Sequence, residues 1–247
     1  MMDIPDVVQL SPVDEQRFGV RIARTSEVTF DNLSSILGFC EDHRVEMLIA
    51  RCSTNDSLLV HKLEELGFVL MDTLVYCTRK LTSSPIPEDT CDFPVRLIKP
   101  GEEHAVKKVA GDAYQGYQSH YHSDPRLDPA KCVEGYMDWA YQSCVSREVA
   151  DDVLVVEMDG KIAGFFAMRK NSPEEGTGVV SGVAPFAQGR GIYRSFMINT
   201  MNWLLRAGAD RMVVSTQVTN IAVQKSWVRL GFEPLRSLYT FHKWFAE

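Results

Sequence analysis

The stretch Gly182-Val183-Ala184-Pro185-Phe186-Ala187-Gln188-Gly189-Arg190-Gly191-Ile192-Tyr193 constrains the fold of this chain more than any other segment. An apolar run from Gly176 enters Pro185, passes a turn with two glycines, and continues as an amphipathic helix through Ala209. Proline has no N–H for a sheet ladder, so the strand ends or bulges at Pro185. A bulge there would splay the strand from its neighbour and leave backbone groups unpaired. Gly189 and Gly191 let the backbone approach a ligand closely. The amides of Gln188 to Tyr193 converge at a helix N-terminus, where free N–H groups and the helix dipole form an anion site. Arg190 adds a positive charge. G-x-G-x-x-G is absent and no Gly-Lys-Ser/Thr follows, so this is neither a dinucleotide fingerprint nor a P-loop. A tight strand-to-helix turn without a ligand is the plain alternative.

The rest of the composition excludes several classes. Among 247 residues, 26 Lys and Arg face 33 Asp and Glu, a net charge of −7. No cationic surplus exists to neutralise phosphates, so neither nucleic acid nor a membrane surface is expected as a partner. No apolar run approaches the ~20 residues that span a bilayer. The opening MMDIPDVVQL lacks the basic and apolar regions of a secretion signal, so the expected location is cytoplasmic. Six cysteines are scattered without C-x-x-C spacing, which reads as reduced thiols and no structural metal.

Leu81 to Phe93, rich in Ser, Pro, Asp and Thr, reads as a linker between two strand-like runs. It divides the chain into residues 1–82, a linker at 83–92, and residues 93–247. In the first part, 7–10, 18–24, 46–52 and 68–81 read as strands, and 28–43 and 57–67 as helices. In the second part the order is β-α-α-β-β-β-α-β-α-β. It includes a hairpin across Asp159-Gly160 and a closing strand or hairpin at 232–245. This is an α+β or α/β sheet with helices on its faces. An internal echo links the halves. Leu66-Gly67-Phe68 and Leu230-Gly231-Phe232 each end a helix and open a strand, and each helix follows an apolar strand. The first half reads as a truncated copy of the second, or the triplet is only a common helix stop.

The glycine turn resembles motif A of the GNAT family of acyl-CoA-dependent N-acetyltransferases, V-x-P-x-x-Q/R-x-x-G-x-G/A. Val183, Pro185, Gln188 and Gly191 match, while Tyr193 stands where Gly or Ala is usual. Asn220, opening the helix that ends at Leu230-Gly231-Phe232, resembles the family's motif B. The resemblance runs from Phe93 onward in element order. It implies a central mixed sheet flanked by helices, with a truncated GNAT-like α/β domain at the N-terminus. The loop SHYHSDPRL (119–127) and Thr216-Gln217 are similar to the branch of the family that acetylates nucleotide-activated deoxyamino sugars such as TDP-fucosamine.

The resemblance implies acetyl-CoA as co-substrate. Ser181 and Val183 would pair with pantetheine, Gln188, Gly189, Arg190, Gly191, Ile192 and Tyr193 would cradle the pyrophosphate, and Asn220 would bond the pantetheine arm. The acceptor is a small-molecule amine, expected to be that of a nucleotide-linked amino sugar. It would sit among His120, Tyr121, Asp124, Gln217 and Tyr239 and attack the thioester directly. The family's usual base position is vacant, because the strand has no carboxylate or histidine beyond Gly176. His122, oriented by a nearby Asp, is the candidate base, and His242 a second one. Trp227 stands where the family often places a proton-donating Tyr, and indole is only a hydrogen-bond donor. A non-catalytic acyl-CoA sensor and a transferase for another small amine or a protein N-terminus remain open, as does a homodimer.

Overall fold

A computed structural model describes residues 7–245. The first half contains β1 (Val8–Leu10), α1 (Pro12–Phe18), β2 (Ile22–Thr25), α2 (Phe30–Asp42), β3 (Met47–Ser53), α3 (Ser57–Glu65) and β4 (Val69–Lys80). The second contains β5 (Val95–Leu97), α4 (Glu103–Ala113), α5 (Pro129–Val145), β6 (Asp152–Met158), β7 (Lys161–Lys170) and β8 (Glu175–Val183). A 3-10 turn (Pro185–Ala187), α6 (Ile192–Arg206), β9 (Arg211–Gln217), α7 (Ile221–Arg229) and β10 (Glu233–Trp244) follow.

Most of the expected elements are present. Asp159 and Gly160 both hold positive φ, 50° and 73°, as a type I′ hairpin turn requires. One expectation needs correction. Residues 18–24 are not one strand: Pro12–Phe18 is a helix, and β2 begins only at Ile22. Pro12 at the first helical position and Asp14 and Glu15 in the first turn were its local signals. Of the two readings of residues 232–245, a strand or a hairpin, the structure has the strand, 12 residues long at Glu233–Trp244. Leu81–Phe93 has no regular structure, yet it is a strap rather than a loose tether. Asp89 accepts hydrogen bonds from Ser195 Oγ and from Asn199 Nδ2 at 2.7 Å, both on α6. The buried Arg79 guanidinium holds the carbonyls of Leu230, Ser84 and Pro85.

All ten strands form one sheet, ordered β1-β2-β3-β10-β4-β9-β8-β7-β6-β5. Its centre is an exchange. β10 lies between β3 and β4 and is antiparallel to both. β4 in turn lies between β10 and β9, also antiparallel to both. Thus β3-α3-β4 and β9-α7-β10 are two β-α-β units, each with the other's second strand inserted. The Leu-Gly-Phe echo has matching geometry in both units. Gly67 and Gly231 stand at φ 80° and 77°. The amides of Phe68 and Phe232 reach back to the carbonyls of Leu63 and Trp227, each at 3.0 Å.

Alternation along the strands sorts the helices. α2, α3, α6 and α7 cover one face, over cores that include Phe241, Leu63, Phe196 and Trp227. α4 and α5 cover the other face over Val155, Phe165 and Val180. The segment joining them crosses onto the first half, where Tyr121 and Leu127 pack on Ile22, Met47 and Ile49.

Candidate active site

β8 and β9 are parallel but pair only over Glu175–Thr177 against Arg211–Val213. Beyond that point β8 stays with β7 as far as Val183, and β9 stays with β4 as far as Gln217. A slot opens between them. Its physical origin is in the β7–β8 ladder, where Ala167 faces Val180 but Met168 faces Gly178, leaving Val179 as an extra residue. The bulge is therefore at Val179, and at Pro185 the strand has simply ended. The Ala184 amide bonds the Ala163 carbonyl at 2.8 Å. Antiparallel alternation then turns the polar groups of Ser181 and Val183 away from β7 and into the slot. Their carbonyls are taken by Tyr114 Oη (3.0 Å) and Gln188 Nε2 (3.1 Å). Their N–H groups find no acceptor among the described residues.

The glycine turn closes one end of the slot. Gly189 and Gly191 hold φ at 76° and 79°, and Gly191 is the N-cap of α6 with no side-chain cap. The amides of Gly189, Arg190 and Gly191 and of the first helical turn, Ile192 to Arg194, have no acceptor among the described residues. A Cβ built at Gly189 or Gly191 would meet nothing within 4 Å, so the turn faces open space. Unpaired amides at an uncapped helix start are suited to an anion. Ile192 offers only its amide, because its side chain is 2% exposed and belongs to the core. Arg190 lies over the ring of Phe93 at 6.0 Å. α2 of the first half differs: Thr29 and Asn32 form a reciprocal capping box that uses its leading amides.

Across the slot, Asn220 caps α7 by accepting from the Val223 amide, and its Nδ2 donates to Thr216 Oγ1 at 3.0 Å. One Nδ2 proton stays free. Trp227 is 2% exposed and donates its indole N–H to Tyr193 Oη at 2.9 Å, joining α6 to α7. Tyr193 thus accepts from Trp227 and keeps its own proton to give.

A tyrosine cluster that sequence reasoning missed forms the wall toward α4 and α5. Tyr114 stacks on Tyr136 at 4.0 Å, and Tyr117 meets both edge-on. Tyr117 Oη bonds Gln217 Oε1. Burial pushes the phenols of Tyr114, Tyr117, Tyr136 and Tyr193 above the ordinary tyrosine value, so all four keep their protons at neutral pH. The Tyr114-x-x-Tyr117 spacing at the end of a helix was the available signal.

The SHYHSDPRL segment brings some of the expected residues together and separates others. His122 lines a cleft of about 460 Å³ with Tyr117, Gln118, Glu134 and Met137. Its Nδ1 is 2.9 Å from Ser119 Oγ, its Nε2 is enclosed without a partner, and burial lowers its pKa. Asp124 does not orient His122. Its Oδ2 instead lies 2.7 Å from His242 Nδ1 and takes the Trp244 indole N–H at 2.9 Å. Burial pushes the Asp124 carboxyl up, but the bonds from His242, Trp244 and the Arg126 amide outweigh it and set it below its ordinary value. His242 Nε2 is 2.9 Å from His120 Nδ1. The His120 amide bonds Asp72 Oδ2 at 3.0 Å, and Gln217 Nε2 reaches the same oxygen at 3.4 Å. His120, Asp124 and Gln217 are thus collected around His242 and Asp72. Asp72 was missed; a carboxylate within the apolar strand β4 was its only mark.

Tyr121 and Tyr239 do not join this group. Tyr121 Oη donates to Asp14 Oδ1 at 2.8 Å and also meets Arg24, so its hydroxyl is anchored in the first half. Tyr239 packs with the α2 and α3 core, on the sheet face opposite His242. Burial raises the thiols of Cys40, Cys52 and Cys132 to about 11, so these three stay protonated at neutral pH.

Residues 114–232 match the model of the Acetyltransferase (GNAT) family, a span that starts at the tyrosine wall and includes the slot, the glycine turn and α7. The spore coat polysaccharide biosynthesis protein SpsD of Bacillus subtilis (strain 168) is 22% identical over 152 residues, 62% of this chain and 51% of that protein. The chain thus spans about half the length of that curated relative. A GCN5-related N-acetyltransferase from Sphaerobacter thermophilus has a TM-score of 0.68 at 14% identity, over 96% of this chain and 76% of that one. The glucosamine N-acetyltransferase region of a fungal multi-domain GH3 beta-N-acetylglucosaminidase has a TM-score of 0.64 at 13% identity, over 96% of this chain and 31% of that one. At such identities the solved structures establish a GNAT-like fold, and residues 114–232, just under half of the chain, match the GNAT acetyltransferase model.

Proposed function

We propose that this protein transfers an acetyl group from acetyl-CoA to a primary amine in a ternary complex, and that the amine belongs to a nucleotide-linked deoxyamino sugar of the TDP-fucosamine type. The observation that carries the reading is the divergence of β8 from β9 with the unpaired amides of residues 189–194 at its end. Those amides would hold the CoA diphosphate. The free N–H groups of Ser181 and Val183 would pair with pantetheine as an added strand does, and the spare Nδ2 proton of Asn220 would bond the same arm. The Tyr193 hydroxyl, with its proton unspent, faces α7 where the departing sulfur needs a donor. Holding both reactants in line removes much of the barrier, about 7–11 kcal/mol in favourable cases. The cleft beside His122 would receive the acceptor. SpsD, by its name a polysaccharide biosynthesis protein, supports a sugar-derived acceptor.

The test incubates the protein with acetyl-CoA and a panel of amines: dTDP- and UDP-linked amino sugars, glucosamine, and a peptide with a free N-terminus. Free thiol is measured. Release dependent on a nucleotide amino sugar is expected. Release only with the peptide or a simple amine would replace the acceptor assignment. Calorimetric binding of acetyl-CoA with no release in any arm would identify a sensor instead.

A further inference from the structure

We propose that the buried chain Asp124–His242–His120 is the proton acceptor for the attacking amine, and that Asp72 holds the amine at the open end of this chain. The inference rests on the transferase reading and assigns its missing base. Asp124, His242 and His120 are 2%, 0% and 6% exposed. With His242 neutral at rest, as the proposal requires, the hydrogen bonds fix the direction of the chain. An ionised Asp124 only accepts, so His242 carries its proton on Nδ1, 2.7 Å away. The other nitrogen of a neutral His242 is then an acceptor. His120 must donate to it from Nδ1, at 2.9 Å, which leaves the His120 Nε2 lone pair bare. Both tautomers are assigned from this network. Among the described residues no hydrogen bond reaches that Nε2, and it is not one of the fully enclosed unpartnered atoms.

The surroundings are shaped for a polar guest. Thr240 pairs with Arg51 on one side and Asp72 on the other, a row across β3, β10 and β4 on the face that carries His242. Among the described residues Arg51 Nε, Thr240 Oγ1 and Asp72 Oδ1 are all buried without a partner, and Thr240 is 0% exposed. Unmet hydrogen-bonding capacity of this kind calls for a ligand or ordered water. A carboxylate, a hydroxyl and a guanidinium in one row fit an ammonium on a hydroxylated, anionic molecule. The row joins the slot through Gln217, which contacts both Asp72 and Tyr117.

The ammonium gives one proton to His120 Nε2 as the His120 Nδ1 proton passes to His242 Nε2. The positive charge comes to rest on His242 against Asp124, which stays ionised. The freed nitrogen pair bonds the thioester carbonyl carbon, the C–S bond breaks towards sulfur, and the second nitrogen proton leaves on the CoA thiol. The charged and titratable groups around His120 are His242 from β10, Arg51 from β3, Arg24 from β2, Asp72 from β4, and His122 and Tyr121 from its own segment. Burial above all, and with it the Arg51 and Arg24 guanidiniums, holds His120 well below its ordinary value, so Nε2 is unprotonated and ready at neutral pH.

Two measurements test the proposal. Imidazole nitrogen NMR of the full chain at pH 7 should show His120 and His242 neutral, both protonated at Nδ1, with a strongly downfield His242 proton that Asp124→Asn removes. The opposite tautomer at either ring would overturn the direction of the chain. With the acceptor that releases thiol, His242→Gln should lower kcat about 10²- to 10³-fold and displace the acid limb of the pH–rate profile, with acetyl-CoA affinity unchanged. Asp124→Asn should displace the same limb, and His122→Ala should change the acceptor KM instead. An unmoved acid limb in His242→Gln sinks the proposal alone. Absence of thiol release by the unsubstituted protein sinks the transferase reading and takes the proposal with it.

Discussion

Gly191 holds φ at 79° with open space where a side chain would project. A side chain there costs roughly 1–2 kcal/mol of backbone strain and displaces no neighbour. Gly191→Glu should therefore fold, yet its carboxylate would occupy the space in which a diphosphate must sit. Calorimetry should find acetyl-CoA affinity reduced beyond detection; unchanged affinity would remove the turn from the site. The turn was legible because proline and glycine act locally. The histidine chain was only half legible. Residue type singled out His120, His122 and His242, but only the fold turns Asp124 towards His242, 118 positions away, rather than His122, two positions away. The histidines also predict a pH effect. Burial holds His120 and His122 below their ordinary value, so below about pH 6.5 the unfolded chain binds protons that the folded chain refuses. Stability should be full above that pH and fall as pH drops, by up to roughly 1.4 kcal/mol per pH unit for each ring. Chemical denaturation at pH 7.5 and 5.5 measures this, and His120→Gln should flatten the slope. Equal stabilities at the two pH values would contradict the burial of these rings.

At the scale of elements, the slot depends on how closely α6 sits on β8. A Cβ at Gly176 would come within 1.9 Å of Leu204 Cδ2, and one at Gly178 within 2.5 Å of Phe166 Cζ. These glycines are set by packing rather than by φ. Gly176→Ala should push α6 off the strand at a cost of about 1–3 kcal/mol, read as a lower midpoint in urea. Acetyl-CoA binding should weaken with it, because α6 carries the anion turn at its start. An unchanged midpoint would mean that the helix yields freely. Most elements here follow from periodicity and stop signals. The extra residue at Val179 does not, since a bulge depends on what β7 presents opposite it. Helix α1 was overlooked because about two turns are too short for periodicity to show, although Pro12, Asp14 and Glu15 mark its start.

At the scale of the molecule, the repeat could be read from Leu-Gly-Phe, but the exchange could not. Nothing local tells β4 to pair with β9 or β10 to pair with β3, because both strands follow the same helix stop. Neither half completes its sheet alone. Residues 93–247 expressed without the first half would leave β9 with a bare edge and β10 with no neighbour, and should be insoluble. Co-expression of 1–82 with 83–247 should restore a soluble pair that elutes as one species. Soluble, monomeric 93–247 would refute the interlock. The outermost strands, β1 and β5, are three residues each, short enough to discourage pairing with another sheet.

The position of β10 also has a bearing on the order of events at the ribosome. The residues of α2, α3, β3 and β4 are synthesised first, but the gap between β3 and β4 has no strand to fill it until residues 233–244 have been made. That gap is a pair of sticky edges awaiting a partner some 180 positions downstream (Thr54 meets Ser237 across 183). Closure is thus a late, long-range event, slow by its topology. During synthesis at roughly 5–20 residues per second, the early half keeps these two edges uncovered until its distant strand arrives.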